Sequence, residues 1–108
     1  MNSPSDDRIS QLRNLLDSDP TDSFCMYGIA MEYSKTGQHV EAIAWFDRTM
    51  ETDPTYTYAW YHKARCQHES GANKQAEQTL QEGIDQAKSL QDTHALEEMS
   101  ALLQSIQQ

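Results

Sequence analysis

The sequence predicts an all-α protein, a right-handed stack of antiparallel helical hairpins with six helices. Three observations predict it. Apolar residues recur at helical spacing in every segment. The stretch from Ser23 to Lys88 repeats itself with a period of 34 residues, so that Tyr27 returns as Tyr61, Ala30 as Ala64, Gly37 as Gly71 and Ala42 as Ala76. The helix-breaking pairs Asp19-Pro20 and Asp53-Pro54 also stand 34 residues apart. Small residues and one aromatic held at fixed intervals suit helices that cross repeatedly in the same way.

Taken in order, Met1 to Ser5 is expected to be disordered, and a helix follows over residues 6–18. Asp6 and Asp7 favour its start through the helix dipole, and Ile9, Leu12 and Leu16 form its stripe, widened by Leu15. Shifted by one period these positions fall on Ile43, Phe46, Met50 and Thr49, so this helix is the second half of a hairpin. Arg8 then stands where Ala42 does, at a site that must be small only if a partner helix crosses it. Pro20 stops the helix, and Thr21 or Asp22 caps the next. The first full hairpin covers residues 23–56, turning at Gly37, and the second covers 57–90, turning at Gly71. Ala76, Leu80, Gly83, Ile84 and Ala87 form the apolar face of the second hairpin's closing helix, with Gly83 as a contact residue. A last helix over 92–107, begun by Asp92 or Thr93, carries Leu96, Met99, Leu103 and Ile106, with Ala95 and Leu102 alongside. On the 34-residue register Glu98 takes the place of Ala30 and Ala64, a poor residue to bury, so this helix is expected to cap the stack.

The chain has 108 residues and is expected to form a single domain. Its hydrophobic fraction of 37% and mean hydropathy of −0.81 suit two thin layers of helix better than a thick core. A net charge of −9 argues against nucleic acid and anionic membranes as partners. The acidic start MNSPSDDR is not expected to act as a signal peptide, and no apolar run reaches the roughly 20 residues of a membrane span. Cys25 and Cys66 fall at different points of the repeat, which predicts reduced thiols and a cytoplasmic location.

Signals for chemistry are sparse. Gly28, Gly37, Gly71 and Gly83 are scattered and form no phosphate-binding loop, and the carboxylates lie on polar helix faces. His62 and Cys66 stand one helical turn apart, followed by His68, which supplies two or three metal ligands with no second cluster to complete them. A nucleophilic Cys66 activated by His62 lacks any suggested oxyanion donor. The expectation is a protein that is not an enzyme and has no metal or cofactor.

The repeated stretch resembles the tetratricopeptide repeat. Met26, Ile29, Ala30, Tyr33, Ala42, Phe46, Thr49 and Pro54 follow that family's pattern in the first copy. Trp60, Ala64, Ala76, Leu80 and Gly83 follow it in the second, which departs at Lys63, Gln67 and Lys88. The resemblance implies a module that binds other proteins, with a concave groove lined by the second, fourth and sixth helices. Carried onto this sequence, the groove positions are Phe24, Tyr27, Met31 and Ser34, then Tyr58, Tyr61, His62, Arg65 and His68. Some members clamp the terminal carboxylate of chaperone tails with a lysine and asparagines. Tyr27, Met31 and His62 stand at those positions here, so that ligand is not implied. The expected function is non-enzymatic capture of a peptide or helix of a partner protein in an aromatic groove, the chain being a monomer or weak homodimer. The alternative is a structural unit that self-associates through the same aromatic face.

Overall fold

The computed structural model describes residues 3–108. These form six helices and, among the described residues, no strand: α1 (Pro4–Ser18), α2 (Ser23–Lys35), α3 (His39–Thr52), α4 (Thr57–Glu69), α5 (Asn73–Ser89) and α6 (Thr93–Gln107). Each packs on its neighbour in sequence, and α4 also packs on both α2 and α6. The result is an inner layer of α2, α4 and α6 and an outer layer of α1, α3 and α5, whose backbones do not approach one another closely.

The breaks work as the residue types require. Asp22 and Asp92 accept the backbone N–H of Cys25 and Ala95 at 3.1 Å, which starts α2 and α6. Gly37 and Gly71 have φ of 74° and 88°, the left-handed conformation that turns each hairpin and that a side chain would strain. At Gly83 the requirement is space. A Cβ there would lie 2.6 Å from Met99 Sδ and 2.7 Å from Trp60 Cβ, so the missing side chain lets α4 and α6 close on α5.

The core divides along the stack. Ile9, Leu12, Leu16, Met26, Ile29, Trp45 and Phe46 lead one cluster, and Leu80, Ile84, Met99 and Ile106 lead the other. Residues of α4 enter both, Ala59 and Cys66 in the first and Ala64 in the second. The two departures from the repeat pattern on α4 have partners. Lys63 Nζ lies 2.7 Å from Asp47, and Gln67, which is buried, accepts the Thr79 hydroxyl at 2.7 Å.

Three sequence expectations are corrected. Met1 and Asn2 lie outside the described residues, but the expected disorder over 1–5 does not hold for the rest. Ser3 caps α1, accepting the Asp6 N–H while its own N–H donates to the Asp6 carboxylate, and Pro4 takes the first helical position. Ser5 then donates to the buried carboxylate of Glu32 at 2.9 Å, which Arg8 and Lys35 also approach at 3.5 Å. Leu15 does not widen the buried stripe; it is 58% exposed. The register of α6 differs too. With 17 residues against 14 in α3, α5 delays the last cap, so a fixed 34-residue shift misplaces the residues of α6. Counted from the first helical residue, Ala30 and Ala64 are eighth in α2 and α4, and Ser100 is eighth in α6. Ala30 and Ala64 are fully buried whereas Ser100 is exposed, because no helix packs over that side of α6 among the described residues. Glu98 faces His94 instead, at 3.1 Å.

Candidate functional site

The residues expected to line a groove lie on α2 and α4 of the inner layer. From α2, Tyr27 packs its ring 4.7 Å from Tyr56, 5.8 Å from His62 and 6.0 Å from Phe46. His62 stacks on Phe46 at 6.0 Å and meets Tyr61 edge-on at 5.1 Å. Tyr61 continues to Tyr58 at 6.4 Å, and Tyr58 to His94 of α6 at 6.1 Å. Tyr27, His62, Tyr61, Tyr58 and His94 thus form one unbroken run of rings across three helices. Tyr27 and Tyr61, equivalent in the repeat, do not meet; the His62 ring lies between them.

The other expected groove residues stand around this run. Phe24 is 67% exposed and touches none of these rings, an uncovered aromatic at the start of α2. Met31 is half-buried against the first core cluster. Arg65 is half-buried, with Nε 3.6 Å from Glu69 and without a hydrogen bond among the described residues. His68 lies apart from the aromatics at the α4–α5 turn, its Nδ1 2.8 Å from Asn73 Oδ1.

Two members escaped the sequence reading. Tyr56 sits at the N-cap of α4 and roofs Tyr27. His94 is second in α6, as Phe24 and Tyr58 are second in α2 and α4. Counting from the caps Asp22 and Asp92 would have found His94. The same count gives Glu97, Glu98, Ala101 and Gln104 the positions on α6 that correspond to the expected groove residues of α2 and α4, a set carrying two carboxylates.

Burial dominates the ionisation of this face. It pushes the Tyr27 hydroxyl up to about 12, with Tyr56 adding to the effect. It lowers His62 to about 4, with the nearby Arg65 charge second, and His62 Nδ1 is buried without a partner among the described residues. Burial also raises Cys66, whose thiol donates to the Ser34 hydroxyl at 3.4 Å. A thiol held protonated and bonded to a serine is a packing residue rather than an activated nucleophile. Among the described residues no three His, Cys, Asp or Glu side chains converge as metal ligands. No helix among them is long and apolar enough to cross a membrane.

The sequence model of the family described as Tetratricopeptide repeat matches residues 33–104, two thirds of the chain. Solved structures agree on the fold. The TPR2B domain of yeast Sti1, in a pHsp70 complex, superposes with a TM-score of 0.85 at 20% identity, over 92% of this chain and 79% of that one. The type III secretion chaperone SycD of Yersinia enterocolitica, in complex with a peptide of the translocator YopD, gives 0.79 at 21% identity, over 95% and 79%. A tetratricopeptide repeat domain protein from Salinibacter ruber gives 0.74 at 28% identity, over 82% and 89%. No curated protein matches the sequence. With the repeat spacing, the two-layered helices and the family match in agreement, the chain belongs to the tetratricopeptide repeat family.

Proposed function

We propose that this protein is a non-enzymatic interaction module that holds a peptide or helix of a partner protein against the face formed by α2, α4 and α6. The unbroken run of rings from Tyr27 to His94 carries the reading. Aromatic side chains supply large contact area at low entropic cost, and the tyrosine hydroxyls orient what they touch. Phe24, uncovered beside the run, is an exposed apolar anchor with no aromatic partner among the described residues. The solved complexes of Sti1 with pHsp70 and of SycD with a peptide of YopD support the reading.

Phe24→Ala tests it most cleanly, because an exposed ring can be removed without disturbing the core. The expected result is at least tenfold weaker binding of a captured partner, with an unchanged urea midpoint; a central aromatic typically costs about 2 kcal/mol on truncation. Tyr61→Ala should weaken binding similarly, and Arg65→Ala should act mainly on association rate and salt dependence. Equal affinity of wild type and both aromatic variants would exclude this face. Should sedimentation instead show a tight homodimer that Phe24→Ala dissociates, the face serves self-association.

A further inference from the structure

The outer layer leaves a gap where the backbones of α1 and α3 pass without close approach and only side chains bridge them. A cleft of about 330 Å³ occupies it, lined by Arg13, Leu16, Asp17, Pro20, Trp45 and Arg48. At its centre is Trp45, itself almost wholly buried. The Arg48 guanidinium carbon lies 4.2 Å from the indole centroid, and that of Arg13 lies 5.2 Å from it.

The chain has four arginines. Arg8 reaches Glu32 at 3.5 Å and Arg65 reaches Glu69 at 3.6 Å. Arg13 and Arg48 pair with no carboxylate among the described residues, although carboxylates outnumber Lys and Arg by 17 to 8. Asp17 lines the same cleft one helical turn from Arg13 and pairs with neither arginine. Arg13 instead donates one N–H to the Tyr33 hydroxyl at 3.3 Å. Stacking explains how two guanidiniums stay unclaimed. The ring face attracts the cation without using its N–H donors, which remain available at the edge of the plane.

We propose that this cleft is a second docking site, one that takes an aspartate or glutamate side chain of a partner polypeptide. The carboxylate would accept from Arg13 and Arg48, and an apolar neighbour in the partner would rest on Leu16, Pro20 and Trp45. Charge complementarity argues for this occupant. Two guanidiniums without a carboxylate partner among the described residues, on a chain of net charge −9, make a local attraction within a repulsive field. That field disfavours nucleic acid or a multiply phosphorylated tail increasingly with each added charge, but opposes a single carboxylate only weakly. Asp17 competes for the same arginines and so tunes the affinity. The site lies on α1 and α3, whereas the aromatic face lies on α2, α4 and α6, so either can fail without the other.

Nuclear magnetic resonance titration of the full chain tests it, following the Trp45 indole N–H and the arginine Nε–H signals. The probes are the blocked peptides acetyl-Leu-Asp-Leu-amide and acetyl-Leu-Asn-Leu-amide, and inorganic phosphate. The aspartyl peptide should shift the Trp45 and Arg48 signals saturably, and the asparaginyl peptide should bind at least tenfold more weakly. Arg48→Gln and Arg13→Gln should each weaken binding at least fivefold. Asp17→Asn should strengthen it several-fold, a gain that misfolding could not mimic. Phe24→Ala should leave it unchanged, which separates this site from the aromatic face. Equal binding of the two peptides would overturn the proposal, as would indifference to both Asp17→Asn and Arg48→Gln. So would saturation by phosphate without response to the aspartyl peptide, or shifts confined to Tyr27, Tyr58 and Tyr61.

Discussion

His62 shows how much a single ring can be asked to do. It fills the space between Tyr27, Phe46 and Tyr61, so it must be flat and uncharged, yet it carries a nitrogen that finds no partner among the described residues. Burial holds its pKa near 4 in the folded chain, against about 6.5 when exposed. Between those values the unfolded chain binds a proton that the folded chain does not, so acid favours unfolding. Stability from this group is therefore complete above about pH 6.5 and declines as the pH falls toward 4. His62→Phe keeps a flat ring and removes both the proton and the unpaired nitrogen. It should be neutral or stabilising at pH 7 and should lose less stability than wild type on going to pH 5. Urea midpoints of both proteins at the two pH values measure this, and an equal loss in both would show that carboxylates alone set the acid response.

At the scale of the helix, α5 is constrained most visibly at Gly83. Gly83 costs roughly 1 kcal/mol of helix propensity relative to alanine, so a glycine there needs a compensating contact. The contact is the close approach of Trp60 and Met99 from either side. Met99 Sδ is flexible and could give way, but Trp60 Cβ is fixed to the α4 backbone. Gly83→Ala should therefore destabilise by about 1–3 kcal/mol through overpacking, less the propensity gained. Urea denaturation with an unchanged m-value and a lower midpoint is the expected observation; a raised midpoint would mean that α4 moves freely on α5. The same helix explains what the sequence did and did not disclose. Gly37, Gly71, the Asp-Pro breaks and the apolar stripes announce their helices locally, because turns and faces are properties of a few adjacent residues. The position of His94 depends on the length of α5, which no local signal in α6 records, and only the matching caps Asp22 and Asp92 restore it. The start of α1 was legible as Ser3-Pro4 followed by Asp6, but Glu32, which anchors it through Ser5, lies on the next helix. The run of rings was half legible. The 34-residue repeat pairs Tyr27 with Tyr61, while the insertion of His62 between them follows from how α4 packs on α2 and α3.

On the scale of the whole molecule, the stack is elongated, with extents of 42 × 28 × 18 Å and a radius of gyration of 14.0 Å, against about 13 Å for an ordinary domain of this size. Its two core clusters share only α4, and each helix is held by its immediate neighbours. The second cluster depends on α6. Ala95, Met99 and Ile106 bury themselves on it, with Leu96, Leu102 and Leu103 packed at its edge. Without α6, Leu80, Ile84 and the surface around Gly83 would meet water, and nothing else among the described residues could cover them. Burial of each large apolar side chain contributes about 1.5–3 kcal/mol. Losing several at once removes an amount comparable to the whole stability of a small domain, about 5–15 kcal/mol. A chain ending at Ser89 should therefore aggregate or melt without a cooperative transition, rather than persist as a shorter stack. Because the first cluster is built from α1 to α4, hydrogen exchange in whatever helix remains should be slowest in α2 and α3 and fastest in α5. A cooperative melt of the shortened chain at the temperature of the full one, with α5 still protected, would mean that α5 is held by α4 alone and that α6 serves only to present His94 and its acidic neighbours to a partner.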